Sequence, residues 1–342
     1  MNIRSIGIVY NLKDKTRTDD LHEEYDEIET ILAIKDEIEA LGFEVTLFDQ
    51  KEDLASELIR KRPDMVFNIA EGIGHTRSRE SQVPCILESL DIPYTGSDPI
   101  ALGITLDKYL TNVVLHQAGV PVPRAFSAGD REDISRISQA IEKEGYWVIK
   151  PRWEGSSRGI FDDSIASGPV ELVEKASRIL GRYGQPVLVE EYMPGSEITA
   201  AVSGNDVPEL LGMMKISPRE NRDRFIYSIE QKRDWKKKIL YEGEDAVAAE
   251  VRRKIAEYAT AAFKALSLRD IARIDLRVDA LGIPRIIDVN PLPGLSPHYS
   301  DLVIMIRMAG RSYGELIKRI VEEALARYGA RMTEVKRSGI VV

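Results

Sequence analysis

Residues 271–300, IARIDLRVDALGIPRIIDVNPLPGLSPHYS, decide how this chain is read. From Ile271 to Val278 the apolar Ala272, Ile274, Leu276 and Val278 alternate with Arg273, Asp275 and Arg277, which is the period of a half-buried strand. A second run puts Ile287 and Val289 on the parity of a core face and Asp288 and Asn290 together on the other. The turn between them is short, so a hairpin centred on it sets Asp275 opposite Asp288 on one face of a sheet. Bare carboxylates side by side repel. The pair therefore implies a cation between them, most simply magnesium, with Asn290 as a neutral oxygen ligand. A solvated surface hairpin is the bland alternative. Against it, Pro291, Pro293, Gly294 and Pro297 fix an irregular loop directly over the acids, the kind of place where sites are built.

The rest of the composition bounds the function. With 342 residues, 43% of them apolar and 30% charged, the chain is long enough for two or three domains around a large core. Its 47 basic against 56 acidic residues leave a net charge of -9, no electrostatic footprint for nucleic acid or an anionic membrane surface. The start of the chain does not read as a signal peptide, and the greasiest run, Leu302 to Ile306, is cut by Arg307. A single cysteine, Cys85, sits in an apolar run and reads as core; with no possible intramolecular disulfide, the expected compartment is the cytoplasm.

Taken in order, Ser5 to Tyr10, Glu44 to Phe48 and Met65 to Ile69 read as strands, and Asp26 to Leu41 as a helix with Ile28, Ile31, Leu32, Ile38 and Leu41 on one stripe, stopping at Gly42. This alternation predicts a small parallel α/β unit whose ligand edge carries Asn11 to Glu24 and Asn68 to Glu80. The second of these loops concentrates Glu71, His75, Arg77, Arg79 and Glu80, and substrate binding competes there with an ordinary surface loop. Thr105 reads as the N-cap of a helix burying Leu110, Val113 and Val114, with Lys108 in its first turn, where a cation is misplaced unless it serves an anion. Tyr146 to Pro151 is a strand carrying Lys150, followed by Glu154 to Gly159, EGSSRG, whose glycines and serines can close over a phosphate chain. It is not a Walker A loop. Val187 to Glu191 is a strand ending in a Pro194-Gly195 break, an edge suited to a flat base, and Glu197 can reach ribose hydroxyls. Arg219 to Lys238, charged with interleaved Phe225, Tyr227 and Trp235, reads as a mobile flap. Val247 to Leu266 and Ser312 to Tyr328 are amphipathic helices.

The order of these signals resembles the ATP-grasp superfamily, most closely the D-alanine-D-alanine ligase family, over about Asp91 to Arg327. The resemblance implies an α/β (α+β overall) ATP-grasp fold, with a small parallel α/β N-terminal domain over 1–104. Two α+β subdomains, 105–188 and 189–330, would clamp ATP, ahead of a tail at 331–342. It implies phosphate contacts from Lys108, Lys150 and Lys232 and a clamp at Glu154, Gly155, Ser156 and Ser157. Adenine contacts would come from Glu190, Glu191 and the Met193 backbone, with Glu197 on the ribose. Magnesium, or manganese, would sit on Asp275, Asp288 and Asn290. Arg273 would lie beside the reacting carboxyl group, and Glu23, by approximate alignment, on the first substrate's ammonium, with Glu24 and Glu27 as neighbouring alternatives.

The implied activity is an ATP-dependent carboxylate-amine ligase joining two amino acids through an acyl phosphate. A phosphotransferase on the same fold and a nucleotide-binding regulator are its rivals. Small-molecule substrates are the implied partners, and a homodimer is an assembly the family allows. Three departures from the family pattern bear on the substrate. Tyr10-Asn11 and FNIAEGIG stand where a glycine pair and a histidine-glycine loop are usual, Arg233 stands where a tyrosine is usual, and Tyr299 and Ser300 stand where a serine and a leucine are usual.

Overall fold

The computed structural model describes residues 2–14, 16, 20, 23–142, 144–220 and 223–330, so part of the Asn11 to Glu24 loop and the whole expected tail, 331–342, lie outside the described residues. Strands β1 (Ser5–Tyr10), β2 (Glu44–Asp49) and β3 (Met65–Asn68) are linked by α1 (Ile28–Ala40) and α2 (Leu54–Lys61). They form the expected parallel sheet, in the order β2-β1-β3. The stripe of α1 differs from the reading. Thr30, Ile31, Ile34 and Ile38 are buried, whereas Ile28 and Leu32 are exposed, because the helix begins at Ile28 and its inward face follows the i, i+3, i+4 row through Ile34.

Helix α3 (Gln82–Ser89) turns Val83, Pro84 and Leu87 inward. Cys85 therefore faces solvent, correcting its expected place in the core. Then come α4 (Pro99–Leu106) and α5 (Lys108–Gln117). Thr105 does not open α5; it lies inside α4, bonding back to the Ala101 carbonyl at 2.8 Å. The cap is Asp107, which accepts from the Leu110 N–H at 3.1 Å. That shift of register buries Lys108, Thr111 and Leu115 and leaves Val113 exposed.

The middle of the chain adds β4 (Ala125–Ala128), α6 (Arg131–Ala140), β5 (Tyr146–Pro151), β6 (Ile165–Ser167), α7 (Gly168–Tyr183) and β7 (Val187–Glu191). Its sheet is antiparallel, ordered β4-β7-β5-β6, with α6 and α7 on one face around Trp147, Ile149 and Leu172. The change to the next sheet comes in Tyr192 to Ser196, just past the expected division at 188/189.

The last unit runs β8 (Glu197–Gly204), β9 (Glu209–Pro218), α8 (Ile229–Arg233), α9 (Trp235–Lys238), β10 (Ile239–Glu242), α10 (Ala249–Ala265), β11 (Asp270–Val278), β12 (Pro284–Asn290), α11 (Asp301–Met308) and α12 (Tyr313–Arg327). Its antiparallel order is β10-β9-β8-β11-β12. Asp275 pairs with Asp288 and Arg273 with Asn290, the register read from the sequence. A bulge breaks the ladder there: Leu276 pairs with Ile286, so Ile287 is the extra residue. Parity resets across it. Ile286 and Val289 enter the core, and Ile287, expected on the core face, lines the cleft instead. Among the described residues no helix is long and apolar enough to cross a membrane.

One buried ion pair ties the first unit to the last. Asp270, fully buried and at φ 62, accepts from the Gly96 N–H at 2.7 Å and from Arg327 at 2.9 Å, and Arg327 also donates to the Tyr94 carbonyl at 2.8 Å. Removing Arg327 leaves a buried carboxylate without its counter-charge, although burial already raises the Asp270 pKa, so uptake of a proton caps the loss. Arg327→Ala is expected to lower unfolding free energy by about 3 kcal/mol. Equilibrium denaturation would measure it, and an unchanged midpoint would remove this pair from the structure's main supports.

Candidate active site

The face of β11 that carries Arg273, Asp275 and Arg277 looks into a cleft between the four- and five-stranded sheets, enclosing about 720 Å³ of non-atom space. From the four-stranded side come Lys150, Glu190 and Glu191; from the loop after β5 come Glu154, Ser156 and Ser157. Lys108 enters from the start of α5, Lys232 from α8, and Met193 and Glu197 from the link into β8. Of the expected site residues, Glu23 and Gly155 alone do not line this cleft.

Most of its charges are paired. Asp288 receives the Lys108 ammonium on both oxygens, at 2.7 and 2.8 Å. Asp275 is clasped by Arg273 through two 3.0 Å bonds, by the Thr199 hydroxyl at 2.7 Å and by the Asn290 amide at 3.1 Å. Burial works against the Asp275 carboxylate, but Arg273 and Thr199 outweigh it and its pKa falls below the usual value. Lys150 bonds Glu190 at 3.0 Å and the bulged Ile287 carbonyl at 3.3 Å. Glu190 is thus committed to a lysine rather than standing free for a base, and burial keeps its pKa raised.

Arg277 escaped the sequence reading, yet it organises the far end of the cleft. It donates to Glu197 at 2.9 Å, to the carbonyls of Met193 and Phe225 at 2.9 Å and of Gly195 at 3.1 Å, and to the Tyr192 hydroxyl at 3.2 Å. Its place on β11, one side-chain repeat beyond Asp275, was the available signal. Lys232 lies 4.9 Å from the Tyr227 ring centre, and burial together with the like charge of Arg273 lowers its pKa.

The segment expected to be a mobile flap is bonded down onto the clamp loop. The Ser157 hydroxyl donates to the Tyr227 carbonyl at 3.0 Å and the Ile229 N–H to the Ile160 carbonyl at 3.0 Å. Ser228 caps α8 and, with Gln231, bonds Asp162. Beneath it Tyr227 and Tyr241 share Asp301 at 3.2 and 3.0 Å. In the clamp loop itself, Ser156 and Ser157 both take left-handed backbone at φ 47 and 58, which turns the loop over the cleft.

A second cavity of about 610 Å³ opens from the same floor. It shares Lys108, Ser156, Lys232, Arg273, Asp288 and Asn290 with the cleft and adds Glu24, Glu71, Glu80, Gly155 and the Pro291 to Gly294 turn. The expected Glu23 is elsewhere: its carboxylate pairs with Arg233 at 3.1 Å and Lys13 at 3.6 Å. Glu24 takes the place in the cavity, bonding Arg79 at 2.7 Å and the Gly155 N–H at 2.5 Å. Arg79 and Glu80, from the loop left open between two readings, are both buried here, while His75 and Arg77 are exposed. Ser300, expected near the substrate, bonds the Ser296 N–H at 2.8 Å instead, and Tyr299 is exposed.

Among the described residues no group of three or more His, Cys, Asp or Glu side chains is placed to hold a metal unaided. Two carboxylates and an amide on adjacent strands do fit an ion such as magnesium, which keeps waters and takes further oxygens from phosphates.

Residues 114–322 match the family model described as the D-ala D-ala ligase C-terminus. The chain is 33% identical over 305 residues to the uncharacterized protein y4sG of Sinorhizobium fredii, covering 85% of this chain and 86% of that one. It is 32% identical to the D-alanine--D-alanine ligase of the same organism, covering 85% and 90%. Its fold matches the D-alanine--D-alanine ligase of Bacillus anthracis complexed with ATP at a TM-score of 0.73 and 23% identity, over 96% of this chain and 99% of that one. The chain therefore belongs to the D-alanine-D-alanine ligase family and is an ATP-grasp ligase.

Proposed function

We propose that the protein joins two amino acids, using ATP to activate the carboxylate of the first. The observation that carries this reading is the meeting of two cavities on six residues, Lys108, Ser156, Lys232, Arg273, Asp288 and Asn290. One cavity has the cationic lining and aromatic and apolar walls that suit a nucleotide. The other adds Glu24, Glu71 and Glu80, which suit the ammonium of an amino acid.

In this reading Lys108, Lys150 and Lys232 offset the triphosphate charge, and the Ser156-Ser157 turn closes over it with backbone amides and hydroxyls. Glu191 and the Met193 backbone border the base, and Glu197, oriented by Arg277, takes the ribose; Glu190 acts through Lys150, which it holds in place. Asp275, Asp288 and Asn290 would hold magnesium or manganese. The ion, when bound, supplies charge neutralisation and alignment of the phosphates. Lys108 and Arg273, now seated on the two aspartates, stand beside the phosphoryl group being transferred.

Transfer of the γ-phosphoryl group to the first substrate's carboxylate gives an acyl phosphate. The amine of the second amino acid attacks its carbonyl carbon, loses a proton and expels phosphate. Arg273 stabilises the oxyanion formed during attack. The bonds from the Ser157 hydroxyl and the Ile160 carbonyl to the flap exclude water, which would otherwise hydrolyse the acyl phosphate. Action on free amino acids and ATP agrees with a cytoplasmic place.

A phosphate-release assay over pairs of D- and L-amino acids tests the reading. Turnover is expected only when an amine acceptor is supplied, and it should vanish with a chelator and return with magnesium or manganese. Asp288→Asn is expected to lower kcat at least about 100-fold; wild-type kinetics in this variant would overturn the metal assignment. Arg277→Ala frees Glu197 from its strongest bond and is expected to raise the KM for ATP about tenfold or more, with a smaller effect on the amino acid. An unchanged KM would remove Arg277 from nucleotide binding.

A further inference from the structure

The second cavity carries carboxylates that no bonded cation answers. Glu24, Glu71 and Glu80 line it. Glu24 is matched, with Arg79 at 2.7 Å, Arg158 at 3.8 Å and the Gly155 N–H at 2.5 Å. The same guanidiniums also serve Glu154, at 3.5 Å from Arg79 and 2.6 Å from Arg158. Glu24 and Glu154 thus take the ion pairs of both guanidiniums, and Glu71 and Glu80 make none with them.

Glu80 is only 8% exposed, and among the described residues its carboxylate accepts no hydrogen bond and makes no ion pair. Glu71 is fixed through its backbone, whose N–H donates to the Asn11 side chain at 2.8 Å, while its carboxylate likewise has no such partner among the described residues. A buried carboxylate without a partner is costly. Burial pushes Glu80 up to about 7 against the opposing pull of Arg79, and burial together with the Glu80 and Glu24 carboxylates pushes Glu71 well above its usual value. Acids without a bonded partner in a cavity that opens onto the cleft point to a ligand that brings the counter-charge.

The floor that this cavity shares with the cleft is cationic, with Lys108, Lys232 and Arg273. A ligand seated here turns its carboxylate to that floor and its positive charge to Glu71 and Glu80. From this polarity and the two unmatched acids we infer that the amino acid seated here is a diamino acid, its two ammonium groups held by Glu71 and Glu80. This rests on the ligase reading above and narrows its substrate class. Glu71 and Glu80 are specificity-determining residues in this scheme, since neither lies on the reacting carboxyl group.

The test is phosphate release from ATP and magnesium with alanine, serine, 2,3-diaminopropionate, 2,4-diaminobutyrate, ornithine and lysine, in both chiralities, each paired with a panel of second amino acids. At least one diamino acid is expected to exceed alanine in kcat/KM by about 30-fold or more, the effect of one desolvated charge pair. Glu80→Gln and Glu71→Gln should each collapse that preference through KM rather than kcat. Because Glu80→Gln removes an unmatched buried charge, its thermal midpoint should equal or exceed that of the wild type, which separates lost recognition from lost folding. Equal turnover of alanine and the diamino acids, or a preference that survives both substitutions, overturns the inference and leaves the ligase reading standing. Tight ATP binding with no phosphate released in any mixture overturns the ligase reading, and this inference with it.

Discussion

Two carboxylates face each other across β11 and β12, and much of the site is arranged to make that tolerable. Asp275 and Asp288 are direct partners in the ladder, so their repulsion is built into the sheet register. The protein offsets it with a guanidinium on one and an ammonium on the other. Those two cations arrive from different directions, Arg273 from the same strand and Lys108 from the start of α5. The placement of Lys108 depends in turn on Asp107, which caps α5 and takes both ends of the Arg152 guanidinium at 2.6 and 2.7 Å. One pair of acids thus ties the hairpin to the central sheet.

The bulge at Ile287 is the second consequence of the same constraint. An unbroken β12 would carry Ile287 into the core and turn its carbonyl into the ladder. The extra residue sends the side chain to the cleft and leaves the carbonyl within reach of Lys150, at 3.3 Å. Lys108 and Lys150 are therefore both anchored to β12, one through a side chain and one through the backbone.

How much of this was legible follows from what local sequence can encode. Alternation from Ile271 to Val278 fixed the face and the register, and the Asp275-Asp288 pairing came directly from it. The bulge did not, because parity counting assumes one residue per rung. Thr105 was mistaken for a cap because threonine caps helices often; the stronger cap two residues on, Asp107, lay hidden between two helices that read as one start. Cys85 looked like core because its neighbours are apolar, but α3 presents only one face inward. Arg277 acts through partners 52 to 85 residues away and Glu80 has no bonded partner among the described residues, and no short-range pattern carries either kind of information. The family resemblance supplied the lysines and serines of the cleft; it pointed first to Glu23, with Glu24 and Glu27 as alternatives, and the chain puts Glu24 in the cavity, a one-residue difference that reverses the direction of a side chain.

Charge is handled differently in the two cavities. In the cleft Glu190, Glu197, Asp275 and Asp288 are each bonded to a cation, so much of its negative charge is offset within the protein. At the floor, Lys108, Lys232 and Arg273 concentrate positive charge where the phosphoryl group and the carboxylate must meet. In the second cavity Glu71 and Glu80 have no bonded partner among the described residues. A zwitterion entering it is drawn carboxylate-first toward those cations before any specific contact is made. In the ligase reading, the cations that draw a substrate's carboxylate are the same ones that stand beside the transferring phosphoryl group, so binding and activation would use one set of charges.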